Sequence, residues 1–377
     1  MPYWRLSGFY FFYFAALGAL VPYWGLYLKS IGFSAIQIGN LVALLMVSRI
    51  VAPNIWGWIA DHRGQRLAVV RWAAFFAAVA FAGVFISSQF WWLALVMMTF
   101  SFFWNASLPQ VEAATMTHLD GSSGAYSRVR LWGSVGFIVS VVALGYLFDY
   151  VDTWWLLPVM LLLLTGVWLY SMVIPESQVS VSDDHLEPLA KVLMRREVFA
   201  FLFACLLMQA SHGPYYTFYS IYMTDNGLSK GAVGWLWALG VISEIGVFIL
   251  MHHLRRHFSL RLVLGISFAL AAVRWIIIGY FPQNMTLILI AQLMHAATFG
   301  AYHAAAVEMV HNFFRGKHQI RGQAIYGSIS FGIGGALGGF YSGITWNTLG
   351  SQWTFTIASG LALAAALVTV LWVRSRN

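Results

Sequence analysis

Ten ionisable residues stand inside stretches that are otherwise apolar: Glu112, Glu244 and Glu308; Arg49, Arg130 and Arg274; His212, His295, His303 and His311. Glutamate and histidine exchange protons, and arginine offers a planar fork of N–H donors that matches a carboxylate. A charge in an apolar run of membrane length is costly unless it faces a partner or a cavity. Each of the ten therefore marks an ion pair or a site; for Glu308 and His311, near the end of their run, reach to water is the competing reading. A second charged feature is WGWIADHRGQR, in which Gly57, Asp61, Arg63, Gly64 and Arg66 interrupt the apolar pattern. Glycines allow a tight turn and close helix approach. An acid among bases can form charge pairs that hold two helix ends in one state and release them in another.

The elements that must carry these groups follow from composition. Of 377 residues, 60% are hydrophobic and 9% charged, about a third of the charged fraction usual in soluble domains. Twelve apolar runs of membrane-crossing length are predicted, at 6–28, 36–60, 67–88, 91–116, 127–148, 154–174, 197–223, 231–252, 260–280, 285–312, 320–344 and 352–373. A strand of a membrane barrel would alternate over about ten residues, whereas Trp154 to Val173 is apolar throughout, so the runs are read as helices. The first has no small-residue cleavage site after a short apolar core and is expected to be retained. With twelve spans both termini lie on one side, and sixteen of the 21 Lys and Arg residues fall there. That bias places both termini in the cytoplasm, and it accounts for the net charge of +8 without a nucleic-acid partner. The single cysteine, Cys205, lies in an apolar run and is read as packing. No nucleotide loop, zinc motif or soluble domain is present to support an enzyme, and no metal or cofactor is expected.

The long polar connection, Pro175 to Glu197, falls between six spans and six. It divides the chain into a bundle at 1–174, a cytoplasmic linker at 175–196 and a bundle at 197–377. The halves resemble each other: Ile31 to Val51 aligns without a gap on Asn226 to Gly246, matching at Gly32/Gly227, Ser34/Ser229, Gly39/Gly234 and Ser48/Ser243 among others. Parallel six-helix repeats place a binding cavity at their interface near the bilayer midplane. The expected fold is an all-α membrane protein of twelve transmembrane helices, in two pseudo-symmetric six-helix bundles around a central cavity.

The pattern Gly57, Asp61, Arg63, Gly64, Arg66 resembles the signature loop of the major facilitator superfamily, and its place between the second and third spans makes it a gate. Within that superfamily, Glu112 followed by SRVRLWGSVGF resembles lactose permease and its relatives. The resemblance implies that Glu112 and Arg130 flank the substrate, and that Glu244, Arg274 and His295 form a coupling network. VRLWGSVGF, MQASHGPYYTFYSIY, AVGWLWALGVISE, AVRW and MHAATFG are similar to the phenylpropionate permease branch over nearly the whole chain. The sequence departs from lactose permease at Thr298, where that protein has a carboxylate.

His212, Tyr215 and Tyr216 in the seventh span and Tyr23 in the first put rings with polar tips on helices expected to line the cavity. An arginine there favours an anion, so an aromatic carboxylate leads as ligand. Glu244 is the expected proton carrier, with Arg274 tuning it, His295 its rival and Glu308 next in line. These features together imply a secondary active transporter that takes up a small aromatic carboxylate such as 3-phenylpropionate with protons, by alternating access. The alternatives are oligosaccharide or nucleoside symport, or efflux by antiport. The expected setting is a bacterial inner membrane, with protons, one small molecule and the lipid bilayer as partners and a monomer as the working form.

Overall fold

The computed structural model describes residues 2–119, 122–176, 189–314 and 318–373, apart from the side chains of Asp61, Arg63, Ser123, His252, Arg255 and Ile320. Among the described residues every regular element is helical. α1 (Tyr3–Ser30) ends at a turn in which Gly32 takes a φ of 91°. Ser34 then starts α2 (Ala35–Arg63) with a capping box: Ser34 Oγ accepts from Gln37 N, and Gln37 Oε1 accepts from Ser34 N. Such reciprocal bonds satisfy donors that a helix start leaves open. The second half repeats the device. α8 (Arg196–Ser211) and α9 (Gly213–Asp225) lead to Gly227 at a φ of 93°, and Ser229 Oγ accepts from Ala232 N at the start of α10 (Lys230–His257). The glycines and serines that align in sequence thus make the same left-handed turn and the same serine cap, while Ala232, standing where Gln37 does, cannot return the second bond of the box.

The remaining helices of the first half are α3 (Arg66–Ala82), α4 (Phe90–His118), α5 (Ser123–Tyr150) and α6 (Leu156–Val173). A short α7 (Leu189–Leu193) precedes α8. Then follow α11 (Leu260–Tyr280), α12 (Met285–Leu293), α13 (Tyr302–Phe313), α14 (His318–Gly327), α15 (Gly335–Thr348) and α16 (Ser351–Trp372). Two π-helical turns interrupt the second half, Ala296–Ala301 between α12 and α13 and Ser328–Gly334 between α14 and α15.

Eleven helical stretches among the described residues are long and apolar enough to cross a membrane. The twelfth predicted span, at 320–344, lies within the path made by α14, the second π turn and α15. Its glycines, which include Gly322, Gly327, Gly332, Gly334, Gly335, Gly338 and Gly339, lower its hydropathy. Outward-facing side chains such as Trp91 (81% exposed), Ile249 (73%) and Leu162 (68%) suit lipid rather than water.

The chain forms two compact units. The first holds the described residues of Met1–Ser180 with Leu228–Ala238, and the second those of Val181–Gly227 and Leu239–Asn377. In the first, α1 packs along α5 and α6, while α4 packs on α2 and α3. Small residues permit the closest approach: a Cβ on Gly18 would lie 2.7 Å from Phe137 O, and one on Gly136 would collide with Phe11 O. The start of α10 belongs here too, where the carboxylate of Asp149 accepts from Lys230 N (2.7 Å) and Gly231 N (3.0 Å). In the second unit α11 and α8 pack on α16, and α9 packs on α15. Gly213 and Gly338 meet there with no room for a side chain on either. Without a hydrophobic force between helices in lipid, contacts of this kind carry much of the association.

Candidate functional site

The second unit buries a connected polar cluster drawn from four segments. Arg274 comes from α11 and Glu244 from α10; Gln292 lies in the last turn of α12, and His295 and Thr298 stand at and within the π turn that follows. Arg274, Gln292 and Thr298 are fully buried and His295 nearly so. Arg274 Nη1 donates to His295 Nδ1 at 2.8 Å and to Thr298 Oγ1 at 3.0 Å, and its Nη2 donates to Gln292 Oε1 at 3.3 Å. Tyr215 on α9 donates its hydroxyl to the same Gln292 Oε1 at 3.0 Å. The rings of Tyr215 and Trp275 lie 4.4 and 4.9 Å from the guanidinium carbon. Glu244 Oε1 is 2.6 Å from His295 Nε2.

These contacts fix the imidazole tautomer. Arginine has only donors, so His295 Nδ1 must present its lone pair to Nη1, and Nε2 then carries the hydrogen that reaches Glu244. The imidazole is neutral and links a buried cation to a carboxylate. Displacing Arg274 from Nδ1 would free that lone pair for a proton, while Glu244 offers a second position for one. The π turn matters for this arrangement. A π turn holds more residues per turn than an α-helix, and Arg274 reaches both His295 and Thr298 across it.

The first unit carries a more open pair. Arg130 Nε on α5 lies 3.9 Å from Glu112 Oε1 on α4, with side chains 31% and 38% exposed. Tyr126 donates to Glu112 Oε1 at 3.4 Å. The Arg130 guanidinium sits over Phe14, 3.9 Å from the ring centroid, and 5.7 Å from that of Tyr10. An accessible guanidinium on an aromatic wall can receive an anion attached to an aromatic body.

The other expected site residues fall as follows. Tyr23 is fully buried and gives its hydroxyl to Val141 O at 2.5 Å, tying α1 to α5. His212 is fully buried at the break between α8 and α9; its Nδ1 donates to Met208 O at 2.9 Å, and its ring stacks on Tyr216 and meets Trp275 edge-on. Glu308 lies on α13, thirteen residues beyond His295, roughly 20 Å along a helix at about 1.5 Å per residue. In the signature loop, Gly64 ends α2 at a φ of 63°, with its N–H donated to Ala60 O at 3.0 Å, and Arg66 opens α3. A Cβ added at Gly57 would meet only Gln110 Nε2, at 3.9 Å, beyond its own helix. The side chains of Asp61 and Arg63 lie outside the described ones.

Sequence reasoning did not single out Gln292, Tyr126 or Glu176, nor did it foresee that Thr298 bonds to Arg274. For Gln292 a signal existed: Gln292, His295 and Thr298 recur at three-residue spacing in an apolar run. Glu176 accepts from Leu67 N at 2.9 Å at the start of α3, a long-range cap with no local mark in the sequence.

The comparisons agree with this architecture. The pattern of the MFS_1 like family matches residues 3–357, and the chain belongs to that family. It is a membrane transporter of the major facilitator type and not an enzyme. It is 31% identical over 365 residues to the "Probable 3-phenylpropionic acid transporter" of Escherichia coli (strain K12), covering 94% of each chain. It is 27% identical to the "Putative nucleoside transporter YegT" of the same organism, covering 95% of this chain and 90% of that one. The crystal structure of the nucleoside transporter NupG superposes with a TM-score of 0.82 at 16% identity and covers 100% of both chains.

Proposed function

We propose that this transporter takes up a small aromatic carboxylate, such as 3-phenylpropionate, together with a proton. The observation that carries the reading is the accessible Arg130 guanidinium lying over Phe14 and beside Glu112. The guanidinium would take the carboxylate bidentately while the ring offers an apolar surface to the body of the ligand. Likeness over almost the full length to the E. coli protein supports the same class of cargo. For coupling, the Glu244–His295–Arg274 chain supplies a carboxylate and an imidazole nitrogen whose proton affinity depends on where one arginine sits. On this reading Tyr23, His212, Tyr215 and Tyr216 serve the cargo, Glu308 belongs to the coupling set, and the Gly57, Asp61, Arg63, Gly64 and Arg66 loop gates the cycle. On this reading both termini lie in the cytoplasm, the side toward which the Lys and Arg bias points.

A second reading, nucleoside symport, is favoured by the acceptor at Glu112 with Tyr126 beside it, which suits a hydroxyl-rich ligand, and by the likeness to YegT. Proteoliposomes separate the two. Labelled 3-phenylpropionate, uridine and maltose are offered with and without an imposed inward proton gradient. The proposal expects 3-phenylpropionate alone to accumulate, and only with the gradient. Gradient-driven uridine uptake without 3-phenylpropionate uptake would replace it with the second reading.

A further inference from the structure

Arg274 is fully buried, yet among the described residues no carboxylate lies within ion-pairing distance of its guanidinium. Its partners are an imidazole, a hydroxyl and an amide oxygen. The Nη1 hydrogens are well used, at 2.8 and 3.0 Å. The opposite edge, formed by Nε–H and the parallel Nη2–H, is not: Nη2 reaches Gln292 Oε1 only at 3.3 Å, and Nε has no acceptor. Next to it, the Gln292 Nε2 donors are buried and also without an acceptor. The amide orientation is fixed, because turning it over would set Nε2 against a donor-only guanidinium. Buried donors left without acceptors cost about 1–3 kcal/mol each, and such groups are rare where nothing is meant to meet them.

The rings of Tyr215 and Trp275 stand 4.4 and 4.9 Å from the guanidinium carbon and 5.7 Å from each other, so they wall it from neighbouring directions and leave the Nε/Nη2 edge to a ligand. We propose that the Nε/Nη2 edge of Arg274, with the amide of Gln292, is a receiving site for a carboxylate. The ligand's two oxygens take the parallel N–H donors, one of them replacing Gln292 Oε1, and the released amide turns so that Nε2 donates to the same anion. The edge suits a carboxylate over a neutral amide or hydroxyl because two parallel charged donors match two equivalent oxygens. It is a second carboxylate position, separate from the one at Arg130; the nature of the cargo rests on the transport reading above, whereas the site itself does not.

The test uses the full chain in detergent micelles, with affinity read from the ligand dependence of the unfolding temperature. The probes are acetate and 3-phenylpropionate, each against its neutral amide at matched ionic strength. For the wild type both carboxylates raise the unfolding temperature and the amides do not. Gln292→Glu sets an internal carboxylate on the same edge; compared in an Arg130→Lys background, which weakens the other carboxylate position, it is expected to fold and to lose carboxylate affinity by about tenfold or more, as for a charge-assisted bond. Should that variant fail to fold, Gln292→Asn, which withdraws the amide by one methylene, is expected to weaken carboxylates by about threefold or more. An unchanged response in the folded variant, or no carboxylate response in the wild type, overturns the proposal. Acetate stabilisation that Gln292→Glu abolishes, in a protein that does not accumulate 3-phenylpropionate, upholds the site and removes only the cargo reading.

Discussion

Replacing Glu244 by glutamine preserves the shape of the side chain that meets His295 Nε2 at 2.6 Å and removes its charge. A hydrogen bond to a charged group contributes about 1.5–3 kcal/mol, against about 0.5–1.5 for a neutral one, so the cluster survives in weakened form. The more telling consequence is for energy conversion. A monoanion carried with one proton moves no net charge, so with the membrane potential clamped at zero only the pH difference drives it. One pH unit is about 1.36 kcal/mol, or about a tenfold accumulation. The wild type should approach that ratio in proteoliposomes. Glu244→Gln should stay near a ratio of about one while retaining counterflow, which requires no net proton movement. His295→Asn, run in parallel, should slow entry yet still accumulate, because His295 then acts by positioning Glu244. A Glu244→Gln protein that still reaches the tenfold ratio refutes the assignment and transfers it to His295 or Glu308.

Arg130→Lys keeps the charge but loses the planar fork over Phe14, and calorimetry should show carboxylate binding weakened by about tenfold. Gly136→Val inserts a branched side chain against Phe11 O between α1 and α5; overpacking of this kind costs about 1–3 kcal/mol or more, measured as a lower unfolding temperature in micelles. Glu176→Ala removes the acceptor for Leu67 N at the start of α3 and should cost about 0.5–2 kcal/mol, read in the same assay, with the affinity for 3-phenylpropionate unchanged.

How far the sequence reached depended on the kind of signal. Hydropathy located the spans because lipid tolerates no other exterior, and side chains such as Trp91 and Ile249 face outward as that requires. The internal repeat was legible down to backbone conformation at Gly32 and Gly227, because a left-handed turn strongly favours glycine. Gly64 announced the elbow between α2 and α3 for the same reason. Pairing of Glu112 with Arg130 and the gathering of Glu244, Arg274 and His295 could be inferred because few charges share an apolar medium, but Arg274 was expected beside Glu244, whereas the imidazole of His295 stands between them. Gln292 was passed over because a neutral amide in a span carries little cost once bonded, and only its neighbours show that it is half bonded. The two π turns were invisible, since neither a proline nor a change of hydropathy marks Ala296–Ala301. The burial of Tyr23 and His212 was hidden too, because tyrosine and histidine occur at interfaces, in cavities and in cores alike.

The π turn after His295 makes this helix one residue out of phase with itself. An α-helix advances about 100° per residue, so the extra residue sets the direction in which everything on α13, Tyr302 and Glu308 included, points relative to Gln292 and His295. Deleting a single residue from Ala296–Ala301 would let the segment close as an ordinary α-helix with its backbone bonds intact. The shorter helix would be regular and would leave α13 facing as it does, whereas closing the turn to an α-helix with no residue removed would rotate all of α13 by about 100°. In this stretch residue count behaves as an angular coordinate, and the π turn absorbs one step of it.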